Sequence, residues 1–135
     1  MTDPCIPPGL AALTQRFAID TDAWSTLGRL DVRIDGRARV RMRRGRRGQE
    51  VVLETRLVSL RGSPRECEDV LARAMLCVTA GAGRQVGVVA LSPDGQQLVL
   101  QAELAGGEPD RFEAAFTAFL NEADYWNRIL GRSPA

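Results

Sequence analysis

LDVRIDGRARVRMR, residues 30 to 43, alternates apolar and charged side chains on both sides of an Asp-Gly pair. Leu30, Val32 and Ile34 share one face of the first half, and Ala38, Val40 and Met42 share one face of the second. Successive side chains of a strand point to opposite faces, so the pattern predicts two half-buried antiparallel strands turning at Asp35-Gly36. Arg44 to Gly48 carries two glycines and predicts a second hairpin loop, leading into EVVLETRLVSL at Glu50 to Leu60. Three strands then make a meander.

Working outward, Ser63-Pro64-Arg65-Glu66 combines an N-cap serine, a proline at the first helical position and a glutamate three residues on, so it starts a helix. That helix is predicted to run to about Ala80, before Gly81 and Gly83. QVGVVAL and QLVLQAEL flank Ser92-Pro93-Asp94-Gly95, a turn in which proline presets φ and glycine supplies a left-handed residue. Asp110 to Leu130 opens on an Asp-x-x-Glu cap and sets Phe112, Phe116, Phe119, Ala123, Trp126 and Leu130 on one helical stripe. On the N-terminal side, Pro7, Pro8 and Gly9 open a short helix with Leu10, Leu13 and Phe17 on one face, and Asp20 to Gly28 breaks it. The order is α-β-β-β-α-β-β-α, an α+β fold with a five-stranded antiparallel sheet covered by helices on one face. Length and composition predict a single domain over residues 1 to 135, with 1 to 8 and 132 to 135 as flexible ends.

Composition subtracts chemistry. The chain has no histidine, and all 18 basic residues are arginine, so the usual general base, metal ligand, P-loop lysine and Schiff-base amine are missing. No catalytic constellation is evident; an enzyme, a metal site or a cofactor is not expected. Cys5, Cys67 and Cys77 are odd in number and lack CxxC spacing, which predicts reduced thiols in a cytoplasmic protein. No apolar run reaches the roughly 18 to 20 residues that span a bilayer, so no membrane partner is expected.

The element order, together with LDVRIDG at 30 to 36, ALSPDGQQLVLQ at 90 to 101 and FLNEADYW at 119 to 126, resembles the class I chaperones of bacterial type III secretion systems, the CesT/SycE-like family. The resemblance spans Leu10 to Leu130. It implies a small cytosolic homodimer that binds the N-terminal region of a secreted effector as an extended chain, keeping it soluble and secretion-competent without ATP. Members of that family are usually acidic, whereas this chain has a formal net charge of +1 and a pI of about 7.7.

Two stretches fit such a role on physical grounds. In the middle helix, Cys67, Val70, Leu71, Ala74, Met75, Cys77 and Val78 form a sector able to cover the sheet. Ala72, Leu76, Thr79 and Ala80 lie roughly opposite, and a helix apolar on two sides needs two partners. A dimer interface is therefore expected at Ala72, Arg73, Leu76, Thr79 and Ala80, with the twofold axis near Leu76. The first helix is too short and too narrowly apolar to stand alone, and its docking predicts a trough between itself and the sheet. Effector binding is expected there, on Leu10, Leu13, Phe17, Leu30, Val32, Ile34 and Val40, with strand addition at a sheet edge.

Nine arginines fall between Arg29 and Arg47. The residues up to Gly62 carry 12 arginines against 7 acids and the rest 6 against 10, giving net charges of +5 and −4. An arginine-rich nucleic-acid-binding module is the alternative, and an α-β-β-β-α opening is similar to that of double-stranded RNA-binding domains. Aromatic residues for stacking on single strands are scarce in this half, only Phe17 and Trp24, which ranks nucleic acid below a protein partner. The plainer expectation sets Arg37, Arg39, Arg41 and Arg43 on the solvent face of the second strand, opposite Asp31, Asp35, Glu50 and Glu54.

Overall fold

A computed structural model describes residues 6–33, 39–60, 62–80 and 87–130, apart from the side chains of 77–80. β1 (Arg29–Arg33) pairs antiparallel with β2 (Arg39–Arg44), setting Leu30 opposite Met42 and Val32 opposite Val40. Those four side chains are buried, and the arginines and Asp31 between them are exposed, as period-two alternation requires. Ile34 and the Asp35-Gly36 turn lie outside the described residues. β3 (Glu50–Ser59) joins β2 on one side and β5 (Gln97–Ala105) on the other, with a β-bulge between Arg56 and Val58. β4 (Val88–Leu91) pairs with β5 and ends the sheet, whose order is β1-β2-β3-β5-β4 and wholly antiparallel.

The β4–β5 turn has the chemistry its sequence predicts. Gly95 sits at φ 71°, and the Asp94 carboxylate accepts hydrogen bonds from the Ser92 hydroxyl at 2.5 Å and the Gln96 N–H at 3.0 Å. These bonds favour the ionised carboxyl and hold its pKa below the usual carboxylate value.

Four helices complete the chain: α1 (Pro8–Arg16), α2 (Asp22–Leu27), α3 (Pro64–Ala80) and α4 (Pro109–Leu130). α4 lies across the inner face of β3 and β5, and α1 packs on α4. Its predicted stripe is buried throughout, joined by Leu120, and each large side chain so buried contributes about 1.5–3 kcal/mol. α1 comes close because Gly9 has no side chain. Its N–H donates to the Gly106 carbonyl at 2.7 Å, and a Cβ placed there would lie 2.5 Å from the Phe112 Cβ.

Three local expectations are corrected. The Asp20 to Gly28 break contains α2, closed by Gly28 at φ 69° with its N–H on the Trp24 carbonyl. Trp24 is buried in the core, with the Arg44 guanidinium 5.7 Å above its ring and Nη2 donating to its carbonyl at 3.2 Å. α4 starts at Pro109, one residue ahead of the expected Asp110 cap, and Glu113 pairs with Arg16 of α1. The α3 start is as predicted, with the Glu66 N–H donating to the Ser63 hydroxyl at 3.2 Å. Met75, however, expected on the sheet-facing sector of α3, points outward.

Candidate partner-binding surfaces

The expected trough beneath α1 is filled by the chain itself. Leu10, Leu13, Leu30, Val32 and Val40 are all buried in one apolar core together with Trp24, Phe112 and Phe116. The sequence expects these residues at a surface, whereas in the fold they are interior, with α2 against β1 and the side chains of α1 and α4 joining the same core. Phe17, at 44% exposure, is the member of the set among the described residues that reaches solvent, with the Arg16 guanidinium 5.8 Å from its ring. Ile34 is outside the described residues.

A second surface lies where α3 meets β4. Ala74 is buried and Val70 and Leu71 are half-buried against the core, so one side of α3 covers the sheet as its periodicity requires. On the other side Leu76 is 73% and Met75 70% exposed, and Ala72 and Arg73 are exposed beside them. Val88 (68%) and Leu91 (52%) of the edge strand are exposed as well. A cleft of about 320 Å³ runs between the two elements, lined by Leu71, Ala74, Met75, Val89, Leu91 and Leu98. Met75, Val88 and Leu91 were not among the expected interface residues. For Val88 and Leu91 the signal was the apolar run in QVGVVAL, which marks a strand apolar on both faces rather than one. The side chains of Thr79 and Ala80 lie outside the described residues.

The third surface is the outer face of the sheet. Arg41 stands between Asp31 and Glu54 in the register, and its Nε lies 3.5 Å from the Asp31 carboxylate. Arg39, however, faces Arg33, and Arg43 faces Arg29 on one side and Val52 on the other. The expected cross-strand compensation of Arg39 and Arg43 is thus replaced by arginine against arginine; Arg37 and Asp35 lie outside the described residues. A groove of about 590 Å³ opens here, lined by Asp31, Arg39, Arg41, Glu54, Arg56 and Val99 among others. At the end of the same face the Glu50 carboxyl shares a hydrogen bond with Glu103, which raises the Glu50 pKa. Cys67 is a free thiol donating to the Leu60 carbonyl at 3.1 Å.

A helix-covered antiparallel sheet with an uncovered apolar strip at one edge and a charged outer face defines a small α+β binding domain. The chain belongs to the Tir chaperone protein (CesT) family, whose model matches residues 10–127. A chain from the heterodimeric ExoU–SpcU complex of the Pseudomonas aeruginosa type III secretion system superposes with a TM-score of 0.66 at 18% identity, covering 93% of this chain and 98% of that one. A chain of the ExsC–ExsE complex gives 0.66 and 18%, covering 90% of each. A chain of the HopA1–SchA chaperone–effector complex gives 0.61 and 14%, covering 89% of this chain and 91% of that one. At these identities the likeness is one of fold. Comparison with curated proteins gives no significant match by sequence. The comparisons support a chaperone and lend nothing to the nucleic-acid alternative.

Proposed function

We propose that this protein is a cytoplasmic, non-catalytic chaperone that binds the N-terminal segment of a type III secreted effector as an extended chain and keeps it soluble without ATP. Membership of the Tir chaperone family carries this reading. The related folds in complexes such as HopA1–SchA, described as chaperone with effector, agree with it. No described helix is long and apolar enough to cross a membrane.

The working unit is a homodimer joined across α3 and β4. Met75, Leu76, Val88 and Leu91 leave an apolar strip that a second copy covers, with Ala72 and Arg73 beside it. Burying such side chains stabilises by about 1.5–3 kcal/mol each, enough in a symmetric contact to hold two protomers together. Effector contacts start at Phe17, the exposed end of the α1 stripe. Leu10, Leu13, Leu30, Val32 and Val40 form the buried bed behind it that supports this contact.

Co-expression with the N-terminal segment of a secreted effector tests the proposal. The segment is expected in the soluble fraction, bound to this chain without nucleotide, and in inclusion bodies or degraded when expressed alone. A Phe17→Asp chain that folds normally is expected to recover less of it. Equal solubility of the segment with and without the chain would reject the function.

A further inference from the structure

We propose that the outer face of β1, β2 and β3 is a docking site for an acidic, extended segment of the client, with carboxylates four residues apart. The inference rests on the effector-binding role and adds the chemistry of the partner. Three cross-strand rows make up this face. In the first, Arg33 faces Arg39, and Arg56 lines the same groove as Arg39. In the second, Asp31, Arg41 and Glu54 alternate in sign. In the third, Arg29 faces Arg43. Like charges directly opposite each other destabilise a sheet. Among the described residues, the Arg41–Asp31 contact is the one ion pair within β1 and β2, and the arginines of the other two rows have no acidic partner among those residues.

Geometry sets what relieves them. Both arginine rows are four residues apart along β1 and β2, about 13 Å at roughly 3.3–3.4 Å per residue. A client chain lying extended along these strands has the same rise, so carboxylates at positions i and i+4 come over the two rows together. Arginine forks onto carboxylate through two parallel hydrogen bonds. A carboxylate at i+2 would instead meet Asp31 and Glu54, so the middle row selects an uncharged residue there. The groove beside Arg39, Arg41 and Arg56, floored by the buried Val99, gives such a segment room to lie down. A nucleic-acid strand fits less well. It carries charge about every 3.4 Å of its axis and would set phosphates over Asp31 and Glu54.

Fluorescence anisotropy on the full chain tests this with a short labelled serine- and threonine-rich peptide bearing glutamates at i and i+4. Comparison probes carry glutamine at both positions or a third glutamate at i+2, and a duplex RNA is run alongside. Binding of the two-glutamate peptide is expected at low ionic strength, falling with added salt. It should weaken about tenfold in the Arg33→Gln/Arg39→Gln/Arg56→Gln chain and hold in Arg111→Gln. The glutamine and three-glutamate peptides should bind more weakly than the two-glutamate one. No binding by the folded wild-type chain, equal binding by the triple variant, or tighter binding of RNA through the same arginines would overturn the proposal. If the peptide fails while the chain still solubilises an effector segment, this inference falls and the chaperone function stands. If the peptide binds and no effector segment is held, the reverse follows.

Discussion

Asp94 shows how much one side chain settles in the β4–β5 turn. Hydrogen bonds from Ser92 and Gln96 hold its pKa below the ordinary carboxylate value. The turn's stabilisation is therefore present above that ordinary value and is lost as pH falls through the lowered one. Asp94→Asn is expected to lower the melting temperature near neutral pH, with the difference from wild type vanishing in acid; a constant difference across that range would contradict the assignment. Gly9 is the matching case in packing. A methyl group there meets Phe112 and the Gly106 carbonyl, so Gly9→Ala should cost about 1–3 kcal/mol in urea unfolding. Single residues were also where the sequence was least legible. That Leu30, Val32 and Val40 are apolar and share a face follows from alternation, but whether such a face meets solvent or a helix depends on what packs there. The pairing of Arg39 with Arg33 and of Arg43 with Arg29 depends on the strand register, which alternation alone leaves open to a shift of two.

Among the elements, the strands and the long helices were readable because their periods are distinct and their ends carry turn and cap residues. α2 was not. Its six residues are too few to show a period, and it is held by burial of Trp24 and by the Arg44 contact rather than by propensity. On α3 the sheet-facing Val70, Leu71 and Ala74 were readable from periodicity, whereas Met75, near the edge of that sector, is exposed. In the proposed dimer the exposed side of α3 carries the assembly, so a charge placed there should separate the protomers without disturbing the core. Leu76→Asp is expected to weaken dimerisation by about 3 kcal/mol or more, roughly a hundredfold in dissociation constant, with circular dichroism unchanged. Sedimentation across a concentration series reads this, and an unaltered dimer would move the interface elsewhere.

At the scale of the whole molecule, the two halves of the chain divide the work. The basic part up to Gly62 forms α1, α2, β1, β2 and β3 and supplies the charged outer face; the acidic remainder supplies α3, β4, β5 and α4 with the apolar edge. The same sheet thus presents one surface suited to a second copy and another suited to an acidic chain, with the core beneath taken up by α1, α2 and α4. The central claim, a twofold chaperone that holds an unfolded client, is tested most directly by light scattering on the purified chain, first alone and then with the N-terminal segment of a secreted effector in the absence of nucleotide. The account predicts twice the chain's 14.7 kDa in the first run and a heavier, monodisperse complex in the second. A monomer that leaves the added segment to aggregate would contradict it.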